Sequence, residues 1–232
     1  MTRVSSIPKA TCLRLSLYLR HLDHAADQGS ETTSSAQLAA ALGATAAQVR
    51  KDLSLFGQFG RPGVGYQVEE LRQAIRRILG VDRRWPVAVV GVGNLGRALA
   101  RYREFAERNF DVVALFDIDP AKVGSRIGGV VVSSMEDMDK VVAECGVRLA
   151  LLAVPAHAAQ KAAEALVRAG VTGILNFAPA VVRLPARVVL YPADVSVLLE
   201  QLSCQVSAEP ARPRSRRGKG GSALTARGFE VE

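Results

Sequence analysis

The stretch VAVVGVGNLG, residues 87–96, decides the fold of this chain of 232 residues. A β-branched run leads directly into the pattern Gly-x-Gly-x-x-Gly, and Arg97, Ala98 and Leu99 continue it as a helix. A second apolar run, VVALFD, ends in Asp117, an acid 21 residues after the last glycine. A strand, a glycine turn, a helix and a second strand ending in an acid together predict a dinucleotide-binding Rossmann unit.

Each residue of the glycine turn has a predicted task at a cofactor. Gly91 permits the tight turn, Gly93 lets the backbone approach the pyrophosphate, and Gly96 allows the helix to pack on the strand. The N-terminus of that helix offers unpaired N–H groups and a positive dipole end to the phosphates. The predicted cofactor-binding turn comprises Gly91, Val92, Gly93, Asn94, Leu95 and Gly96.

The acid at the end of the second strand predicts which cofactor binds. Asp117 would accept hydrogen bonds from the adenosine ribose hydroxyls and would repel a ribose 2′-phosphate. The next three residues, IDP, supply no arginine that could bind such a phosphate. We therefore expect NADH or NAD+ rather than the NADP forms. Two alternatives stay open: a Rossmann-like fold with an idle glycine turn, and a site for another nucleotide-containing ligand such as coenzyme A.

Beyond Trp85, short apolar runs alternate with helical segments. Because the runs are almost continuously apolar, they predict a sheet covered on both faces, which is a parallel, doubly wound α/β fold. The predicted strands are VAVVG, VVALFD, GVVV, LALLAV, GILNF and VVLY, and the predicted helices cover residues 94–108, 135–145, 157–169 and 194–206.

The formal charge of +8 is divided unevenly along the chain. Residues 1–84 hold twelve Lys and Arg against seven Asp and Glu, residues 85–204 hold twelve of each, and residues 205–232 hold six against three. We therefore predict a basic domain over 1–84 that suits a polyanion, a Rossmann domain over 85–206 and a disordered basic tail over 207–232. The alternative is that these basic residues only keep the surface soluble.

Composition also argues against several classes of protein. Three cysteines, Cys12, Cys145 and Cys204, lie far apart without metal-ligand spacing, so we expect neither a disulfide framework nor a metal site. No apolar run approaches the ~20 residues of a membrane helix, and the first residues do not resemble a secretory signal. A cytoplasmic protein without a membrane partner is the expectation.

Two short helices joined by a glycine-containing turn predict a helix-turn-helix in the basic domain. Thr33, Ser34 and Ser35 cap the first, Gly43 ends it, and Thr45 caps the second, AAQVRKDLSLF. The face of this second helix that lies opposite its apolar stripe is small, polar and basic, which suits DNA. The alternative is an ordinary solvated face.

The segment after these helices predicts a wing. Residues 57–68, GQFGRPGVGYQV, contain four glycines and end in an alternating run, which favours a two-stranded hairpin with Arg61 at its tip. A helix from Pro8 to about Gly29 and another over 69–79 complete a winged helix-turn-helix domain. The predicted DNA-binding residues are Ser35, Gln48, Arg50, Lys51, Ser54 and Arg61.

Several collinear stretches resemble the redox-sensing transcriptional repressor family Rex. They are QVRKDLS from residue 48, GVGY from 63, GVGNLGRAL from 91, FDIDP from 116 and GILNFAP from 173. The resemblance covers nearly the whole chain before the tail. It implies a homodimer that binds palindromic operator DNA of respiratory and fermentative genes when NADH is scarce, and that leaves the DNA when NADH binds.

The resemblance also implies roles for residues that spacing alone does not single out. Arg20 on the first helix would contact the Rossmann domain, Tyr102 would follow the phosphate helix, and Asp194 would open a C-terminal helix that is swapped between subunits. Together they would bind near the nicotinamide and sense its charge. Two positions depart from the family pattern: Pro62 stands where relatives can carry an arginine, which leaves minor-groove contact to the residue before it, and Val195 stands where some carry an aromatic.

An NAD-dependent oxidoreductase with an incidental basic domain is the main alternative. A dehydrogenase needs a group that exchanges a proton with its substrate, and of three histidines only His157 follows a Rossmann strand. The Rossmann part ends soon after its last strand, without an evident substrate domain. We therefore expect a repressor that uses NADH or NAD+ as a regulatory ligand, and not an enzyme; a regulator that binds coenzyme A or another nucleotide is a third possibility.

Overall fold

The computed structural model describes residues 7–61 and 63–208 of the chain. Position 62, which departs from the family pattern, and residues 209–232 of the predicted tail lie outside the described ranges. The N-terminal part consists of helices α1 (Lys9–Asp27), α2 (Ser35–Ala40), α3 (Ala46–Ser54) and α4 (Val68–Leu79), with two short strands, β1 (Thr32–Thr33) and β2 (Tyr66–Gln67).

The helix ends follow the predicted capping residues. Ser34 begins α2 with a capping box, in which its hydroxyl accepts from the Gln37 N–H and the Gln37 side chain accepts from the Ser34 N–H. The Thr45 hydroxyl accepts from the Gln48 N–H at the start of α3. Gly43 has φ 61°, the left-handed conformation predicted for it. Apolar residues of all four helices, among them Leu15, Leu38, Leu53, Leu71 and Ile75, form one buried cluster.

The wing differs from the predicted hairpin. Arg61 and Gly65 form a single antiparallel bridge, and the next two residues form β2. That strand pairs with β1, which the sequence analysis did not predict, through the register Thr32 with Gln67 and Thr33 with Tyr66. The hairpin is short because the hydrogen bonds of its second half go to β1 rather than back to its first half.

The second part is built on a sheet of seven strands in the order β5-β6-β4-β3-β7-β8-β9. Its strands are β3 (Trp85–Val90), β4 (Phe110–Asp117), β5 (Arg126–Ile127), β6 (Val130–Ser134), β7 (Leu149–Leu152), β8 (Gly173–Asn176) and β9 (Val189–Pro192). The six parallel strands, counted along the chain, lie in the order 3-2-1-4-5-6, which is the Rossmann order. The predicted parallel, doubly wound fold is confirmed, with β5 as an additional antiparallel edge.

Helices cover both faces of this sheet. They are α5 (Asn94–Ala100), α6 (Arg103–Glu107), α7 (Met138–Glu144) and α8 (Ala156–Arg168), and a 3-10 turn (Met135–Asp137) precedes α7. Along β3, Val87 and Val89 belong to one apolar cluster and Ala88 and Val90 to the other. Both faces of the strand are therefore buried, which explains why its sequence is continuously apolar.

The helix predicted over residues 94–108 is in fact two helices. Tyr102 has an extended backbone, with φ −75° and ψ 104°, and begins α6. Its ring packs edge to face on Phe105, with the ring centroids 5.0 Å apart. Because the helix is interrupted here, Tyr102 lies exposed directly after α5, the predicted phosphate-binding helix, and not within one continuous helix.

The chain divides into two compact units, residues 1–193 and 194–232. The described part of the second unit contains α9 (Val195–Ala208). Large apolar side chains of α9 are exposed, among them Leu198 and Leu199, which are 60% and 61% exposed. The domain boundary predicted near residue 84 falls inside the first unit and stays a prediction. No helix among the described residues is long and apolar enough to cross a membrane.

Candidate dinucleotide-binding and DNA-binding sites

The glycine turn between β3 and α5 has one open side and two closely packed positions. A Cβ at Gly91 would lie 2.5 Å from the carbonyl oxygen of Ala153, and a Cβ at Gly96 would overlap the carbonyl oxygen of Gly91. At Gly93, by contrast, no heavy atom lies within 4 Å of an added Cβ. Gly91 and Gly96 are thus needed by the fold, whereas Gly93 keeps its outer face free for a ligand, as a pyrophosphate requires.

Asp117 ends β4 directly beside this turn. One carboxylate oxygen, Oδ2, accepts from the Val92 N–H at 2.8 Å, and Oδ1 accepts from the Asp119 N–H at 2.9 Å. Burial alone would raise the pKa of Asp117, but the two backbone N–H groups and the Lys122 ammonium lower it, so the pKa lies below its usual value. The residue is therefore ionised, and it anchors the turn as well as forming the predicted ribose site.

Lys122 is a charged neighbour that the sequence analysis missed. Its ammonium lies 3.2 Å from Asp117 Oδ2 and 3.5 Å from Asp119 Oδ2. Lys122 lies five residues after Asp117, beyond the segment IDP, and a turn brings its side chain back to the carboxylate. The negative charge at the predicted ribose position is partly balanced, so it repels a 2′-phosphate less than an isolated acid would.

Four of the six predicted DNA-binding residues are exposed, and the other two are partly exposed. Arg50, Lys51 and Ser54 are exposed on α3, and Arg61 is exposed at the wing bridge. The Arg50 guanidinium donates to the Ser35 hydroxyl at 3.1 Å, which brings the first residue of α2 onto the same surface. Gln48, like Ser35, is partly exposed, and its amide donates to Asp52 Oδ1 at 2.9 Å.

Asp52 itself is a buried acid on this basic helix, and the sequence analysis did not select it. It is 1% exposed and accepts from Arg14, Tyr18 and Gln48. Burial alone would raise the pKa of Asp52, yet these hydrogen bonds, led by the one from Arg14, lower it below the usual value. Burial and the bond to Asp52 raise the pKa of Tyr18 to about 12. The spacing of Asp52 from the buried residues Val49 and Leu53 could have revealed this acid, because it shares their face of α3.

Comparison with known proteins identifies both halves of the chain. A family model described as a putative DNA-binding protein N-terminus matches residues 6–54, and one described as a CoA binding domain matches residues 82–180. The redox-sensing transcriptional repressor Rex of Roseiflexus sp. is 46% identical over 85% of this chain and 90% of its own length. That of Syntrophomonas wolfei is 45% identical over 87% of this chain and 96% of its own. The chain belongs to the Rex family.

Solved structures agree with this assignment. RSP, a Rex-family repressor solved in complex with beta-NAD+ and operator DNA, superposes with a TM-score of 0.84 and 35% identity, covering 88% of this chain and 94% of RSP. The complex of RSP with beta-NADH gives a TM-score of 0.79 at 33% identity, over 88% and 95%. The predicted fold, a winged helix-turn-helix followed by a Rossmann domain, is that of a Rex repressor.

The residues expected to sense the nicotinamide in a Rex protein are placed as follows. Tyr102 is 48% exposed, and its hydroxyl donates to Glu104 at 2.7 Å. This bond raises the pKa of Tyr102, while the positive charge of Arg20 acts in the opposite direction. Among the described residues Tyr102 is hydrogen-bonded to Glu104, and no hydrogen bond joins it to Arg20.

Asp194 is the first residue of the second compact unit. Its carboxylate accepts from the Ser196 N–H at 2.9 Å, which is the bond of a helix-capping residue at the start of α9. Val195, which follows it, is 60% exposed. The cap is one of the two roles that Asp194 can have, and its sensing role stays a prediction.

Proposed function

We propose that this Rex-family chain is a repressor that binds operator DNA when NADH is low and releases it when NADH binds. The observation that carries the proposal is the presence, in one compact unit, of an open glycine turn and an exposed basic helix. The support from relatives is that RSP has been solved with beta-NAD+ and operator DNA and with beta-NADH. The dinucleotide acts as a regulatory ligand and is not turned over.

The residues divide into a cofactor set and a DNA set. The backbone at Gly93 receives the pyrophosphate, and the remaining acceptor capacity of Asp117 receives a ribose hydroxyl. Arg50, Lys51 and Arg61 neutralise DNA phosphates, and the first turn of α3 faces the base edges. NADH causes release because it binds the DNA-incompetent arrangement more tightly, and DNA must weaken NADH by the same factor.

The ring of the nicotinamide is cationic in NAD+ and neutral in NADH, which is the large physical difference between the two ligands. Arg20, Tyr102 and Asp194 form the charge network that responds to this difference. Tyr102 supports this assignment because it is exposed directly after α5, the helix expected to receive the pyrophosphate. Asp194 joins them from the second compact unit of a partner subunit.

Two features support a homodimer with swapped C-terminal helices. Helix α9 exposes apolar side chains along its length and carries Glu200 as its one charged residue between positions 195 and 208. A groove of about 830 Å³ lies over the sheet, with Leu149, Leu151, Leu175 and Tyr191 in its lining. Its lining also contains four arginines, which complement Glu200: Arg83, Arg84, Arg108 and Arg148. We infer that α9 of one subunit covers this groove in the other, and that the dimer acts in the cytoplasm on chromosomal DNA.

The decisive experiment is a DNA-binding titration with NAD+ and NADH compared at one salt concentration. Fluorescence anisotropy of a labelled operator duplex measures the affinity, and an unrelated duplex of equal length is the control. We expect NADH to weaken operator binding much more than NAD+ does. Equal effects of the two ligands would refute redox sensing. Coenzyme A is added as a third ligand because of the CoA-binding family model, and release by coenzyme A alone would assign the site to that ligand instead.

A further inference from the structure

The recognition helix α3 is attached to α1 by one buried carboxylate whose acceptor positions are all occupied. Asp52 Oδ2 accepts from Arg14 Nε at 2.6 Å and from the Tyr18 hydroxyl at 2.9 Å. Asp52 Oδ1 accepts from Arg14 Nη2 at 2.7 Å and from Gln48 Nε2 at 2.9 Å. A carboxylate offers about four acceptor positions, so no capacity remains.

The hydrogen bonds to Asp52 fix the orientation of α3, which apolar contacts alone do not. The two parallel bonds from the Arg14 guanidinium form a planar fork, which sets the orientation of the carboxylate as well as its distance. The other buried residues of α3 are Val49 and Leu53, whose contacts are non-directional. The rotation of α3 about its own axis, and its position along that axis, are therefore set mainly at Asp52.

The same carboxylate decides which way the Gln48 amide is turned. A carboxylate only accepts hydrogen bonds, so the NH2 group of the amide must face Asp52 and the carbonyl oxygen must face away. The amide keeps that oxygen and its second N–H, which together form an acceptor–donor pair. Gln48 lies in the first turn of α3, the part of a recognition helix that contacts base edges. In the major groove, such an amide matches the N6 and N7 edge of adenine.

We propose that Asp52 is a positioning residue for operator reading, which orients α3 and the amide of Gln48 so that Gln48 reads an adenine in each half-site. The proposal rests on the proposed function, because it takes α3 as the DNA reader. Asp52 contacts no DNA itself and acts through the Gln48 amide and through its paired bonds with the Arg14 guanidinium of α1.

The test is selection of operator sequences from a random duplex pool by the wild-type chain and by variants. Gln48→Ala and Asp52→Asn should both lose the wild-type preference for adenine at one position per half-site. Their affinity for the wild-type operator should fall about 5- to 150-fold, the range for one bidentate base contact. Tyr18→Phe is the matched control, because it removes one bond to Oδ2 and leaves the Gln48 bond to Oδ1; it should keep the preference.

A second variant separates positioning from stability. Replacing the whole network by apolar residues, with Arg14→Met, Tyr18→Phe and Asp52→Leu together, should leave a folded protein with unchanged NADH affinity, because buried ion pairs replaced in this way are often neutral or stabilising. We expect it to bind unrelated DNA as wild type does and to lose the adenine preference.

The outcomes distinguish the two proposals. If the apolar triple variant, or Asp52→Asn, selects the wild-type sequence with the wild-type affinity, Asp52 positions nothing and the inference is overturned. If the wild-type chain selects no sequence at all, the proposed function fails. If Gln48→Ala keeps the adenine preference, another residue reads that base and the inference is again overturned, while the repressor function stands.

Discussion

Replacing Gly93 by alanine should lower the affinity for NADH while leaving the stability of the fold close to that of wild type. Gly93 has φ −69° and ψ −163°, a conformation open to alanine, and no heavy atom lies within 4 Å of an added Cβ. Such a substitution stabilises a protein by about 0.4–1 kcal/mol because it reduces the freedom of the unfolded chain. Gly93 is also the N-cap of α5, where glycine is preferred to alanine by a similar free energy, so the two effects offset each other and the Tm should change by less than about 2 °C.

The same methyl group would occupy the space through which the pyrophosphate approaches. Losing one hydrogen bond to a charged group costs about 1.5–3 kcal/mol, which is about 10- to 150-fold in Kd. NADH affinity is measured by fluorescence titration and the Tm by thermal unfolding of the same sample. Gly96→Ala is the contrasting variant, because its Cβ would collide with the Gly91 carbonyl and should lower the Tm. A Gly93→Ala protein that binds NADH within twofold of wild type would refute the placement of the pyrophosphate at this turn.

Four further outcomes are expected. Lys51→Ala should weaken operator binding and reduce the slope of log affinity against log salt by about one, with NADH affinity unchanged; an unchanged slope would remove Lys51 from the phosphate contacts. Asp117→Ala should weaken NADH binding at least about tenfold, because the ribose acceptor is lost and the Val92 N–H loses its partner; equal affinity would remove the ribose assignment and reopen the coenzyme A alternative. Asp194→Ala should leave DNA and NADH binding but reduce the ratio of DNA affinities without and with NADH; a lower Tm with an unchanged ratio would make Asp194 a helix cap only. The pKa of Asp52 is lowered in the folded state, so its ionised form stabilises the fold above the unfolded-state pKa of about 3.9, and this stability is lost as the pH falls further. The unfolding free energy of Asp52→Asn should therefore fall less steeply below about pH 4 than that of wild type. Parallel pH profiles of the two proteins would contradict this.

Local sequence patterns predicted those features whose residues all lie within one helix, strand or turn. The glycine turn, the acid at the end of β4 and the capping residues Ser34 and Thr45 depend on neighbours within a few residues, and all lie in the predicted elements. Strand β1 was not predicted, because two threonines carry no periodicity and pair only with a segment more than thirty residues away. Lys122 was missed although it lies only five residues from Asp117, because an irregular turn, which has no periodic pattern, returns it to the carboxylate.

Asp52, which the sequence analysis missed, shows why projecting α3 onto a helical wheel does not find every functional residue. A wheel assigns function to the exposed face and apolar packing to the buried face, and Asp52 is a charged residue on the buried one. Its partner Arg14 lies on α1, the helix that also carries Arg20, and six residues of helix separate them by about 9 Å along the axis. A rigid helix transmits a displacement along its length, so a shift of α1 at Arg20 would move Arg14 as well. The fork from Arg14 to Asp52 would carry such a shift to α3, so one helix and one pair of hydrogen bonds connect Arg20 to the recognition helix.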